Sequence, residues 1–483
     1  MKRDLALLAE REHDLLIVGG GIHGAAAAWD ASQRGLRVAL AEARDFGGGV
    51  SWNSLKTIHG GIRHLQRADI RGVRESVRER RALMRIAPRL VRPLSFLIPT
   101  YGHGFRGREA LRAALLANDL IGLDRNRGLP AGRCIPAGRG LSRREVLELV
   151  PGFPEAGLTG GVAWTDAQVT SGERLILGFL HAACFEGAAL ANHLEVTRLL
   201  RSGSRIVGAL ARDAIAGVDL EIRARAVLNA SGPGLDPALA QAGLPAPAVP
   251  WLLATNVVLS RVPTGRLAAG VFRGGRYLFL VPWEDRVIVG TAYDPPQMGD
   301  GAAAEFFEDA RQAFAWARIE RSEVCLVHQG LVPGGGGRGL WTRHRIVDHE
   351  EQDGVGGLVS IQGVKYTTAR GVAEQAVDRI VRRLGCASKP CRTAETVLEG
   401  AAPIAGSLEQ RTRTAVRDEM ALLLSDAVLR RLDLGTSGPP ADEDVRRVGS
   451  AMATELGWEA ERAERERREL AGTYRLAEIL RTG

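Results

Sequence analysis

The chain has 483 residues, 45% of them hydrophobic and 25% charged, and carries a formal charge of +8. That balance excludes a disordered or fibrous chain and leaves room for two or three domains with a core large enough to enclose a cofactor. The 5 cysteines include no CxxC pair, which argues against a disulfide framework or a structural zinc site, so no metal is expected. With 5% aromatic content and no basic-aromatic cluster, the positive charge is not expected to serve a nucleic acid.

Nowhere do about 18 apolar residues run together, and Met1-Lys2-Arg3-Asp4 opens a charged helix-like segment rather than a signal peptide. A cytoplasmic protein is expected. The only lysines are Lys2, Lys56, Lys365 and Lys389, so nearly all positive charge is arginine. A lysine can lose its proton on burial, which an arginine does not, so Lys56 and Lys365 stand out.

In chain order, the apolar run 14–18 meets Gly19-Gly20-Gly21-Ile22-His23-Gly24, then an alanine-rich helix and a second run, 38–41, that ends at Glu42. Strand, glycine turn, helix and strand are the setting in which GxGxxG binds a dinucleotide. Gly19, Gly21 and Gly24 let the backbone approach a pyrophosphate, and Glu42 can accept from a ribose. The bland alternative is a glycine turn with no ligand.

Residues 68–91 read as a long amphipathic helix, with Val73, Val77, Met84, Ala87 and Val91 on one face and Pro88 and Pro93 near its end. The stretch 100–160 reads as irregular. A helix over 172–186 follows, then a hairpin over 197–226 whose last residues begin a strand, 226–230, running into Ser231-Gly232-Pro233-Gly234. Residues 251–294 alternate as an antiparallel sheet does. The run Gly334–Gly337 reads as a loop, 357–361 as a strand and 367–384 as a helix, before a helical tail over 408–483.

The segment Ser51-Trp52-Asn53-Ser54-Leu55-Lys56-Thr57-Ile58-His59-Gly60-Gly61-Ile62-Arg63-His64-Leu65 is too polar and glycine-bearing for a plain core element. Together with the GGGIHG turn, Met84 to Pro93, Pro282-Trp283, Gly290-Thr291 and Gly363-Val364-Lys365-Tyr366-Thr367-Thr368, it resembles the FAD-dependent glycerol-3-phosphate dehydrogenase family over about residues 13 to 385. The resemblance implies an α/β fold: a Rossmann-like FAD-binding domain (13–90, 160–250 and 341–390), an antiparallel-sheet substrate domain (91–159 and 251–340) and a C-terminal helical domain (400–483).

It also implies FAD as cofactor, lined by Gly19, Gly21, Gly24, Glu42, Ser51, Ser54, His59, Gly60, Gly61, the backbone of Val196, Gly232, Gly363 and Thr367. Arg63 and Lys365 match positions that hold the substrate near the flavin, and Arg343 matches a further basic position. The chain departs from the family in three places. His64 replaces a tyrosine, Asn256 replaces a histidine, and Val332 in Gly330-Leu331-Val332-Pro333 replaces the phosphate-clamping arginine.

The expected reaction is oxidation of a hydroxyl-bearing, anionic small molecule, with hydride passing to flavin N5 and a base, Lys365 or else His59 or His64, taking the hydroxyl proton. An amine or amino-acid oxidase, or a flavin-binding protein without turnover, are the alternatives. Electrons then pass to a quinone, to oxygen or to a soluble carrier. The helices over 67–127, with Leu111, Leu115, Leu116 and Leu120 in a basic setting, read as core-facing. In a second reading they rest on the inner face of a membrane.

Overall fold

A short helix, α1 (Leu5–Ala9), leads into β1 (His13–Val18), α2 (Ile22–Gln33) and β2 (Val38–Ala41), the strand, turn, helix and strand that the sequence predicts. This computed structural model describes residues 1–482 apart from 66, 105–106, 235, 246–248 and 336–338. Side chains of β1 alternate between two cores, as the period of a strand requires. Leu15 and Ile17 pack with the buried alanines of α2, whereas Leu16 and Val18 pack on the opposite face with Leu199, Ile206 and Ile222.

The long helix expected over 68–91 is α4 (Ile70–Ile86), preceded by β3 (Thr57–Ile58) and α3 (Ile62–Leu65). It stops earlier than expected. Pro88 disfavours helix in the residue before it, and Val91, read as part of the helical face, instead begins β4 (Val91–Tyr101). The stretch 100–160, expected to be irregular, holds α5 (Arg108–Ile121), β5 (Arg139–Leu141), α6 (Arg143–Leu149) and the start of β6 (Leu158–Val169), which pairs with β4 over its whole length. Pro93 and Pro99 masked β4 because proline cannot donate to a ladder. Both lie outside Phe96 and Leu97, the residues through which β4 meets its other neighbour.

Next come α7 (Gly172–Phe185), β7 (Ala189–Ala191), β8 (Leu194–Ser202), β9 (Arg205–Asp213), β10 (Asp219–Asn229) and α8 (Asp236–Gln241). The hairpin expected over 197–226 is a three-stranded meander, because β10 is shared. Its first half pairs with β9, and its second half enters the parallel sheet beside β1. The strands β11 (Trp251–Leu259), β12 (Ala268–Arg273), β13 (Arg276–Trp283) and β14 (Arg286–Asp294) follow, then α9 (Gly301–Ala313) and β15 (Val324–Pro333). Of the glycine run read as a loop, Gly334 and Gly335 follow β15, and 336 and 337 lie outside the described residues. The chain continues through β16 (Arg345–Asp348), α10 (His349–Asp353), β17 (Leu358–Gln362) and α11 (Ala369–Leu384).

Two sheets result. The first runs β16-β17-β10-β1-β2-β7, parallel except at β16. The second runs β15-β11-β14-β13-β12-β4-β6-β3, antiparallel except where β12 meets β4. The tail forms α12 (Leu408–Glu419), a π-helical turn (Asp426–Arg431), α13 (Asp442–Leu456), α14 (Ala460–Gly472) and α15 (Arg475–Thr482). Its Leu424, Val428, Met452 and Leu470 share one apolar core with Trp52, Val258, Trp283 and Ile288, so the tail packs against the second sheet. Among the described residues no helix is long and apolar enough to cross a membrane.

Candidate active site

Parallel strands deliver their carboxyl ends to one edge, and three glycine turns meet there. Val18 and Asn229 are register partners in β1 and β10, as are Asn229 and Ser360 in β10 and β17. Gly19 adopts φ +105°, and a Cβ on it would lie 2.7 Å from Cα of Ser231. A Cβ on Gly24 would lie 1.8 Å from the carbonyl oxygen of Gly19, and one on Gly363 would lie 2.1 Å from the ring of His23. Only glycine fits at Gly19 and Gly24, an added methyl at Gly363 would displace the His23 ring, and the backbone is left bare around the N-terminus of α2, where an anion is favoured.

Glu42, at the tip of β2, accepts from Gly20 N at 2.6 Å and Arg44 N at 2.9 Å. Burial pushes its carboxyl above the ordinary value despite those bonds. Ser51 Oγ accepts from Ile22 N at 3.1 Å, which ties the 51–65 segment to the first turn of α2. Gly232 has φ +63°, with nothing within 4 Å of its would-be Cβ, so its face is open. The cradle therefore fits a flavin dinucleotide: bare backbone, a helix N-terminus and an acidic residue converge from distant sequence.

Other predicted lining residues have visible local duties. Ser54 Oγ accepts from Lys56 N at 3.3 Å. His59 N donates to Thr367 Oγ1 at 3.0 Å, and Gly60 N donates to Asp166 Oδ1 at 2.7 Å, where Arg80 also binds. Gly61, at φ +92°, lets α4 approach, since a Cβ there would lie 2.9 Å from Val73 Cα. Val196 pairs with Ala211 just beyond Leu194, whose N–H donates to Glu42 O at 2.8 Å.

Beyond the cradle lies a cavity of about 570 Å3. Arg63, His64, Arg67 and Lys365 line it from one side, and Arg276, Tyr277, Thr291, Tyr293, Trp341 and Thr342 are among its other walls. Lys365 Nζ is hydrogen-bonded to His64 Nε2, and His64 Nδ1 lies 2.8 Å from Asp69 Oδ2. Burial draws the Lys365 ammonium down to about 8. Arg63 and Arg67 add to that fall, and Glu75 and Asp69 oppose it. Burial, followed by Lys365, also lowers His64.

Two predicted substrate residues are not among those lining this cavity. Arg343 is exposed and donates to Asp69 Oδ1 at 2.6 Å, so it reaches the site through that carboxylate. Asn256 is buried, and its Oδ1 accepts from Thr291 Oγ1 at 2.7 Å, so Thr291 rather than Asn256 faces the space. Val332 sits in β15 opposite Leu252. Sequence reasoning missed Asp69 and Arg67. The available signal for Asp69 was its place as N-cap of α4, where it accepts from Gly72 N at 3.1 Å.

Comparison with known proteins gives the family and the fold. Residues 14–379 match the family described as FAD dependent oxidoreductase. The chain is 30% identical over 432 residues to the glycerol-3-phosphate dehydrogenase of Synechocystis sp., covering 84% of this chain and 77% of that one. It is 29% identical over 519 residues to the glycerol-3-phosphate dehydrogenase of Mycobacterium leprae, covering 94% and 87%. Among solved structures, the glycerol-3-phosphate dehydrogenase of Bacillus halodurans complexed with FAD shares the fold at a TM-score of 0.73 and 22% identity, over 98% of this chain and 96% of that one.

Proposed function

This chain belongs to the FAD-dependent oxidoreductases, in the glycerol-3-phosphate dehydrogenase family, and from that premise we propose that it oxidises a hydroxyl-bearing, anionic small molecule by hydride transfer to flavin N5. The observation that carries the reading is the meeting of Lys365 and His64 in a cavity that also holds Arg63, next to the glycine cradle. Glycerol 3-phosphate, or a related polyol phosphate or hydroxy acid, is the proposed class of donor. The proposed domain division is that of the family: nucleotide binding by 13–90, 160–250 and 341–390, a substrate domain of 91–159 and 251–340, and the helical region 400–483.

FAD, when bound, supplies an N5 atom that takes the hydride. Lys365 takes the hydroxyl proton. An amine drawn down to about 8 is partly neutral near physiological pH, whereas an ordinary lysine is not. Arg63 makes no ion pair with a described residue, and its position on the cavity wall suits it to hold the donor's anionic group. Arg67, in the turn that follows α3, brings a second guanidinium to the same wall. This pair supports binding of an anion although Val332 stands where the family has its clamping arginine. A charge-assisted hydrogen bond contributes about 1.5–3 kcal/mol, so one from Arg67, added to that from Arg63, can offset one lost.

The proposed acceptor for the flavin's electrons is a quinone, oxygen or a soluble carrier. On α5, Leu115 is buried, whereas Leu116 and Leu120 are 52% and 68% exposed. Half of the apolar face read from the sequence therefore packs inward. The exposed half supports the reading of peripheral contact with an anionic membrane surface.

An anaerobic donor panel tests the proposal by bleaching of the flavin. Polyol phosphates or hydroxy acids should bleach the yellow protein and amino acids should not. Lys365→Ala should keep the colour and lose the bleaching. Bleaching by amino acids alone would make the protein an amine oxidase, and no bleaching by any donor would make it a flavin-binding protein without turnover. Rapid bleaching by micromolar sn-glycerol 3-phosphate would show that Val332 does not alter the pocket's preference.

A further inference from the structure

The cavity wall carries a chain of polar contacts that reaches beyond the residues the reaction itself needs. Lys365 Nζ meets His64 Nε2, His64 Nδ1 meets Asp69 Oδ2 at 2.8 Å, and Asp69 Oδ1 is held by Arg343 Nη2 at 2.6 Å and by Gly72 N at 3.1 Å. We propose that Asp69 is a positioning residue that fixes His64 in the tautomer protonated at Nδ1, and through it aims the lone pair of neutral Lys365 at the substrate hydroxyl. This deepens the reading above and rests on it.

The argument is one of donors and acceptors. Ionised Asp69 can only accept, so the facing ring nitrogen must be Nδ1–H. Burial works against the charge of Asp69, but the bonds from Arg343, Gly72 N and His64 hold its carboxyl down at about 2. With the proton on Nδ1, Nε2 of the neutral ring carries a lone pair and accepts an N–H from Lys365. A neutral amine has two N–H bonds and one lone pair. Committing one N–H to Nε2 keeps the lone pair off the ring and leaves it one of the two remaining tetrahedral positions on Nζ, beside the cavity that Lys365 lines.

The proton balance is simple. As the donor's carbinol hydrogen leaves with its bonding pair for the flavin, the O–H bond breaks, its electrons complete the carbonyl, and the proton forms a third N–H bond on Nζ. His64 Nε2 accepts a hydrogen bond throughout and is not itself the base. The charges facing this chain come from several elements: Arg63 on α3, Arg67 just after it, Asp69 and Glu75 at the start of α4, and Arg343 and His344 before β16, with His344 Nδ1 lying 3.8 Å from Glu75. Burial outweighs them at both Lys365 and His64, the first cause of each group's fall.

Asp69→Asn is the discriminating variant, because asparagine is as good an N-cap as aspartate and α4 stays capped. Its oxygen caps Gly72 N and its amide nitrogen turns to His64, which forces the ring to the Nε2–H form, and that N–H then takes up the lone pair of neutral Lys365 that the substrate hydroxyl needs. In the FAD-loaded protein labelled with 15N-histidine, the wild type should show His64 protonated at Nδ1 and the variant at Nε2. In protein labelled at lysine Cε, only four resonances appear, and that of Lys365 should titrate near 8 in the wild type.

With a donor that bleaches the wild type, Asp69→Asn should slow flavin reduction by about tenfold or more while leaving KM and colour unchanged. In a His64→Gln background, where the amide oxygen serves Lys365 without help from Asp69, the same substitution should add little. Three results would overturn the proposal: a wild-type ring protonated at Nε2, a variant that reduces flavin at the wild-type rate, or an equal loss in the His64→Gln background. If no donor bleaches the wild type, the proposed function fails, and the tautomer and lysine titrations still decide whether Asp69 sets the state of His64.

Discussion

Arg431 closes on Asp45 with two hydrogen bonds of 2.6 and 2.7 Å, and both side chains are buried. Asp45 lies just beyond Glu42, between the tip of β2 and Gly47, whose N–H donates to Gly20 O at 3.0 Å. Arg430 binds the same carboxylate, and Asn192 donates to it at 3.0 Å. One buried charge of the nucleotide fold is thus satisfied by the C-terminal helical region. The nearby Asp45, His193 and Asp426 have ligand atoms within 4.8 Å of one another, but two guanidiniums already neutralise the carboxylates, so the group reads as structural.

Removing Arg431 leaves Asp45 with Arg430 and Asn192, so the cost should fall below the about 3–5 kcal/mol of a buried charge stripped of every partner. Arg431→Met should still lower the thermal midpoint. Because Asp45 anchors the turn beside Gly20, FAD should also dissociate faster, as followed by the return of flavin fluorescence on dilution. A variant that keeps the midpoint and holds its flavin would show that the two regions are not coupled through this contact.

Gly24→Ala and Gly363→Ala test the cradle at two independent points. The first places a methyl 1.8 Å from a backbone oxygen, which cannot move without displacing the turn. The second meets the ring of His23, which is a side chain with some freedom. Gly24→Ala should therefore yield a colourless protein, and Gly363→Ala one with weakened but measurable FAD binding. Absorbance near 450 nm per mole of purified protein gives both answers.

The sequence made the first turn legible because its chemistry is local: GxGxxG, the preceding strand and Glu42 lie within thirty residues and need only each other. The long-range part was harder. β4 was hidden by prolines that become harmless only when its register is known. The role of Arg343 could not be read because its partner, Asp69, lies 274 residues away. Asn256 aligned with a pocket residue, but its neighbour Thr291 takes the exposed place. The pairing of Lys365 with His64 spans 301 residues, and only folding brings it about.

If the cavity binds its donor through charge, Arg63 and Arg67 carry unequal shares. Both are exposed, but Arg63 is held within α3, whereas Arg67 follows the helix in a turn. Arg63→Ala should raise KM for an anionic donor by about tenfold or more, the value of one charge-assisted bond. Arg67→Ala should raise it less and should make KM less sensitive to salt, since a charge that acts through solvent from a turn, rather than by direct contact, is the one salt screens. An uncharged polyol should be nearly indifferent to both. Steady-state kinetics at two ionic strengths would separate these outcomes, and equal effects on charged and neutral donors would remove the anion from the account.

A last prediction concerns buried charge away from the cavity. Lys56 Nζ donates to Glu173 Oε1 at 2.8 Å and to Trp52 O at 2.9 Å, and Asp433 shares Ser171 Oγ with Glu173. Burial and then the nearby Glu173 push the Asp433 carboxyl upward, while Arg174 and Lys56 pull the other way. An acid whose folded value is raised binds, in the fold, a proton that the unfolded chain has released. Stability from this group is therefore fully present below the ordinary carboxyl value and declines as pH climbs toward the folded one. Asparagine cannot ionise and tolerates the left-handed backbone found here, φ +53°. Asp433→Asn should thus gain in thermal midpoint relative to the wild type between about pH 5 and about pH 8, by a few degrees. The same difference at both pH values would mean that Asp433 is ionised in the fold throughout, with Lys56 shared between two carboxylates.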